Sequence, residues 1–147
     1  MFLKNVKKFF ISELPKVRGE LIEDKDLSLI SWLKVGGPAE IFFVPKDKDD
    51  LSLFLKNVSP NIPITVLGLC SNLIIRDGGI PGVVIKLGKN FNMISNDGNY
   101  ISAGASVLDA KLSIYAANFG FDLSFLRTIP GTIGGAVKMN SGCYGTY

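Results

Sequence analysis

The chain has 147 residues, 47% apolar and 20% charged, which excludes a disordered segment and allows one cored domain or two small lobes. Lysines and arginines number 16 against 13 acids, a net charge of +3, and the cations are scattered, so no nucleic-acid partner is expected. There is no histidine, which removes the commonest general base and metal ligand together, and the distant Cys70 and Cys143 make no metal pattern, so no metal is expected.

At the N-terminus, Phe2, Leu3, Val6, Phe9, Phe10 and Leu14 recur at helical spacing with Lys4, Lys7, Lys8 and Glu13 opposite. That pattern predicts an amphipathic helix ending near Pro15 or Gly19. Its interior lysines and the lack of a small-residue cleavage site argue against a signal peptide. No apolar run reaches membrane-spanning length, so no membrane partner is expected and the expected location is cytoplasmic. Residues 26–35 read as extended, and Gly36, Gly37 and Pro38 as a turn. Glu40 to Val44, apolar after its glutamate and closed by Pro45, has the pattern of a buried strand. Asp47 caps a predicted helix with Leu51, Phe54, Leu55 and Val58 on its apolar face, and Ile64 to Leu67 is a second strand. This is a β-α-β unit, the common way to join parallel strands. Trp32, Phe42, Phe43 and Phe54 are read as core.

From Gly68 onward glycine becomes frequent, which places a boundary there: a first lobe of residues 1–67 and a second of residues 68–147. The strand breaks at Gly68 to Asn72 and is expected to resume over Leu73 to Ile75; Gly82 to Leu87 is a further strand. Phe91 to Ile94 and Tyr100 to Ala103 flank Asp97-Gly98, a hairpin signal. A helix over Leu108 to Asn118 is expected to end at Gly120 in a left-handed cap, followed by one helical turn within Phe121 to Leu126 and a short helix over Gly134 to Met139.

Two stretches can carry chemistry. The turn at Gly68 with Ser71 and Asn72 offers backbone N–H groups and neutral donors to an anion such as pyrophosphate, or is an ordinary polar turn. It has neither the P-loop nor the GxGxxG spacing. The stretch from Ile129 to Gly145 gathers Gly131, Gly134, Gly135, Gly142 and Gly145. Such a cluster means close backbone approach, either to a flat apolar ligand with polar edges or to a neighbouring element. Thr132 and Asn140 can donate to a ligand there. Asp77 and Asp109 read as turn and cap residues, and no carboxylate pair stands out.

Residues 31–45, 66–88, 101–107 and 129–145, in that order and spacing, resemble the N-terminal half of the UDP-N-acetylenolpyruvoylglucosamine reductase family, also called UDP-N-acetylmuramate dehydrogenases. These are FAD enzymes of peptidoglycan synthesis. The resemblance implies an α+β, two-subdomain FAD-binding fold shared with vanillyl-alcohol-oxidase-type flavoenzymes, with the C-terminal substrate domain absent. It implies that Gly68, Ser71, Asn72 and Leu73 form a pyrophosphate loop, in which Cys70 stands where glycine is usual. Ala103, Gly104, Ala105, Ile129, Pro130, Gly131, Thr132, Gly134, Gly135, Asn140, Gly142 and Tyr144 would line the FAD. In the family NADPH reduces the flavin, which passes hydride to the enolpyruvyl carbon of a UDP-sugar. The arginine, glutamate and serine that assist lie in segments expected downstream of Tyr147, so the chain is expected to hold cofactor without being a competent reductase alone. The alternatives are the FAD-binding domain of another vanillyl-alcohol-oxidase-type oxidoreductase and a flavin-free interaction remnant.

Overall fold

The computed structural model describes residues 8–145. In chain order it holds β1 (Glu20–Asp26), β2 (Pro38–Val44), α1 (Lys48–Asn57), β3 (Ile64–Leu67), β4 (Ile80–Lys86), β5 (Ile94–Asn96), β6 (Ile101–Ala103), α2 (Asp109–Ala117) and α3 (Ile133–Met139). Single 3-10 turns lie at Ile11–Glu13, Lys89–Phe91 and Ser124–Thr128. The described chain divides into two compact units, one of residues 8–67 with 72–86 and one of residues 68–71 with 87–145. The chain leaves the first unit after Leu67, and residues 72–86 return to it because β4 pairs with β2 and β3.

The first unit is built on a four-stranded sheet in the order β1-β2-β4-β3. β1 runs antiparallel to β2, while β2 and β3 both run parallel to β4. The β2-α1-β3 crossover therefore steps over the position that β4 later fills. Ile41, Phe42 and Phe43 are all buried, as are Val83, Val84 and Ile85, so the two central strands lose the polar alternation of a one-sided sheet. α1 packs its Phe54 ring against Phe43 at a centroid distance of 4.6 Å. Of the expected apolar helix face, Phe54 is buried but Leu55 is exposed.

Charge holds the first unit's outer pieces in place. Asp47 caps α1 by accepting from the Asp50 backbone N–H. The buried Asp50 carboxylate accepts from the N–H groups of Arg18, Gly19 and Lys46, at 2.7, 2.9 and 2.9 Å, tying the approach to β1 to the start of α1. Burial pushes its pKa up, but these donors outweigh that and hold it below the ordinary 3.8. Glu40 likewise accepts from Phe9 N–H and Gly82 N–H, both at 2.6 Å.

Several expectations are corrected here. The predicted N-terminal helix falls partly on residues 1–7, outside the described residues, and its described remainder holds only the Ile11–Glu13 3-10 turn. The strand in this region is Glu20–Asp26 rather than 26–35; residues 27–35 are turns, with Ser31 bonded to the Val35 carbonyl at 2.8 Å. Trp32 is exposed rather than core, because that turn-rich segment carries it outward. No strand resumes over Leu73 to Ile75: only Ile75 is buried there, and Ile74 is exposed.

In the second unit β5 and β6 form the expected hairpin, with the Asp97 carboxylate accepting from Asn99 and Tyr100 N–H at 3.0 and 2.8 Å. α2 ends with Gly120 at φ +80° and a bond from Phe121 N–H to Ala116 C=O, the left-handed cap expected from sequence. Val107, Leu112 and Leu126 form the core, with Ile94, Ile101, Ile129 and Ile133 packed around them.

Asp50→Ala strands three donors around a buried site and should cost about 3 kcal/mol in chemical denaturation. Because the folded pKa is depressed, Asp50 stabilises the fold above its unfolded pKa, and that contribution is lost as pH falls through the folded pKa. The difference in stability between parent and variant should therefore shrink on acidification below about pH 4.

Candidate functional site

The loop leaving β3 and the stretch around α3 supply most of the candidate residues. Gly68 follows the last residue of β3, and its four residues 68–71 cluster with the second unit. Within that unit, a Cβ on Gly68 would come to 3.0 Å from the Thr132 hydroxyl, and one on Gly135 to 3.5 Å from the same oxygen. Thr132 thus places a buried hydroxyl between two glycine surfaces, one from each candidate stretch.

Cys70 takes φ +57°, the left-handed region that glycine enters freely. Its side chain is buried, with the thiol donating to the Gly68 carbonyl at 3.8 Å. Cys70 thus sits in a left-handed turn with its thiol against the Gly68 carbonyl. Ser71 is half-buried, while Asn72 and Leu73, which the structure groups with the first unit, are exposed.

Residues 103–105 and 129–135 are knitted together by backbone bonds. Leu108 and Thr132 form an isolated antiparallel bridge. Ile133 N–H donates to Val107 C=O and Gly134 N–H to Ala105 C=O, both at 2.9 Å. These contacts account for several glycines without any ligand. The Phe91 carbonyl occupies the space a Gly104 side chain would need, and Ala105 lies 2.9 Å from where a Gly134 Cβ would stand. Gly135 and Gly68 differ, since among the described residues the atom that a Cβ at either would meet is the Thr132 hydroxyl oxygen. Ile129 is half-buried and Pro130 exposed.

α3 closes on Asn140 at φ +47°, with Ser141 N–H returning to the Ala136 carbonyl at 2.9 Å, a hydrogen-bonded left-handed cap. Asn140 and Gly142 are exposed, as is Tyr144 at φ +55°. Cys143 accepts from the Thr128 hydroxyl at 3.3 Å. Among the described residues no cluster of metal-ligating side chains occurs, and no helix is long and apolar enough to cross a membrane.

Asp109 is not the cap residue expected from sequence. It is the first residue of α2, fully buried, and neither carboxylate oxygen has a hydrogen-bond partner. Burial raises its pKa to about 6. The buried residues of α2 are Asp109, Leu112, Ser113 and Ala116, an i, i+3, i+4, i+7 series, and that spacing is the sequence signal that places the acid on the inner face.

Residues 39–147 match the FAD binding domain family. UDP-N-acetylenolpyruvoylglucosamine reductase of Jannaschia sp. (strain CCS1) is 58% identical over 135 residues, covering 92% of this chain and 44% of that protein. The protein of the same name from Paracoccus denitrificans (strain Pd 1222) is 55% identical over 134 residues, 91% of this chain and 44% of its own. The crystal structure of UDP-N-acetylenolpyruvylglucosamine reductase (MurB) from Thermus caldophilus matches with a TM-score of 0.68 at 34% identity, over 88% of this chain and 44% of that one. The chain spans less than half the length of each. It belongs to the FAD binding domain family, whose cofactor is FAD.

Cys70→Gly should keep stability within about 1 kcal/mol of the parent, because relief of left-handed strain offsets the lost burial. Cys70→Val brings a β-branch to a positive φ and should cost about 2 kcal/mol or more, read by denaturant midpoint at unchanged slope.

Proposed function

We propose that this member of the FAD binding domain family is the cofactor-holding portion of a UDP-N-acetylenolpyruvoylglucosamine reductase, acting in the cytoplasm in peptidoglycan synthesis. The observation that carries the reading is the 58% identity to a protein of that name across 92% of the chain.

The residues present fit FAD at two points. The turn after β3 is left-handed at Cys70, whose buried thiol bonds the Gly68 carbonyl, and a turn of this form can offer backbone N–H groups to pyrophosphate oxygens. Gly68 and Gly135 lack side chains on either side of the Thr132 hydroxyl, a cradle that a Cβ on Gly68 would crowd. The chemistry FAD supplies when bound is two-electron hydride transfer from NADPH to the enolpyruvyl UDP-sugar. The chain's own residues bind and orient: Gly68, Ser71, Asn72 and Leu73 toward the pyrophosphate, and Ala105, Ile129, Pro130, Thr132, Gly135, Asn140, Gly142 and Tyr144 toward the rest of the cofactor. We assign Ala103, Gly104, Gly131 and Gly134 a supporting part, since their contacts build the platform.

The 147-residue chain should purify yellow or quench flavin fluorescence when titrated with FAD, with micromolar or tighter affinity. No binding at micromolar FAD overturns the reading. Asn72→Asp, which sets a negative charge beside the phosphates, should weaken affinity roughly tenfold or more; unchanged affinity would move the pyrophosphate loop elsewhere.

A further inference from the structure

Asp109 is the one fully buried carboxyl among the described residues whose oxygens meet no donor. Asp50, also buried, is surrounded by three N–H groups, so the contrast is internal to the molecule. What Asp109 does touch is the Ile129–Thr132 crossing. Its backbone N–H donates to the Gly131 carbonyl at 3.1 Å, and its Oδ2 lies 2.6 Å from where a Gly131 Cβ would stand. One residue on, Leu108 and Thr132 are bridged, so the same crossing carries the hydroxyl that lies between Gly68 and Gly135.

Among the described residues no charge nearby compensates an ionised Asp109. On its own helix Lys111 is exposed and Tyr115 stacks on Phe119. Arg127 on the adjoining 3-10 turn and Lys138 on α3 are exposed. Asp122 and the hairpin's Asp97 accept from local backbone N–H groups. Desolvation is the sole cause acting on the Asp109 pKa. A buried carboxylate without a donor is costly, and it is relieved only by taking up a proton or by letting water in. The backbone it faces is Gly131, so admitting water means moving the crossing.

We propose that Asp109 is a proton-operated positioning residue, which when neutral lets the Ile129–Thr132 crossing close on α2 and when ionised loosens it. Thr132 moves with the crossing, so the glycine cradle is held best in the protonated state. The sign follows from linkage. A carboxyl whose folded pKa is raised binds its proton more tightly in the folded chain, so its contribution falls as pH rises from the unfolded value of 3.8 to the folded value of about 6, and is flat above. Asp26, Asp47, Asp50, Asp97 and Asp122 have lowered values and give the opposite slope at lower pH, so the informative quantity is the difference between parent and variant.

The test compares the 147-residue chain with Asp109→Asn, which keeps the shape and cannot ionise, by melting from pH 4 to pH 8.5. Asp109→Asn should gain on the parent as pH rises through about 4 to 6 and should melt higher at pH 8; parallel profiles, or a variant that melts lower at pH 8, overturn the proposal. A second measurement needs no variant: the Asp109 carboxyl carbon, followed by NMR, should titrate near pH 6, and a midpoint near 4 overturns it. A third readout rests on the flavin reading above. FAD affinity of the parent should weaken several-fold between pH 5.5 and pH 8, while that of Asp109→Asn stays level. If neither chain binds FAD at any pH but the melting difference appears, the positioning role stands and the flavin reading fails.

Discussion

β4 lies between β2 and β3, and all three strands run the same way. Parallel neighbours cannot be joined by a tight turn, so each connection must travel the length of the sheet. The β2-β3 connection does so as α1. The β3-β4 connection, residues 68–79, does so without a helix, and it spends its first four residues in the second unit before returning. The loop at the carboxyl end of a parallel strand is where open α/β sheets commonly place ligands. Here the same topological demand that brings β4 back to the sheet also delivers Gly68 to the Thr132 hydroxyl within the second unit.

The glycine-rich stretch around α3 divides into two kinds of position. At Gly104, Gly131 and Gly134 the missing side chain is replaced by protein atoms, namely the Phe91 carbonyl, the Asp109 carboxyl and Ala105. These positions weld the 103–109 and 129–134 segments. At Gly68 and Gly135 a Cβ would instead meet, among the described residues, the Thr132 hydroxyl. A crowd of glycines in sequence thus combines internal joinery with open backbone, and only coordinates separate the two.

Much of the architecture was legible because local signals agreed with burial. Glu40 to Val44 reads as apolar after its glutamate because its strand is covered on both faces, and Asp47 as a cap because it fills that role. The hairpin at Asp97-Gly98 and the cap at Gly120 follow from turn chemistry. The failures have a common cause. Trp32, the segment from Leu73 to Ile75 and the loop 27–35 are set by where the chain must go between distant strands, and no local period records that. Of the candidate site, the close backbone approach around Thr132 was legible from the glycine content of the stretch. The state of Cys70 and the isolation of Asp109 depend on side-chain direction and neighbours far along the chain.

β1 offers the sheet's outer hydrogen-bonding edge, and along it stand Glu20, Glu23, Asp24, Lys25 and Asp26, with Asp24 at φ +49°. A second copy of this strand laid alongside would bring mostly acids against acids, and the left-handed residue interrupts the straight ladder such pairing needs. Acid-rich and locally left-handed, that edge disfavours the strand-to-strand pairing by which a sheet grows from one molecule into the next.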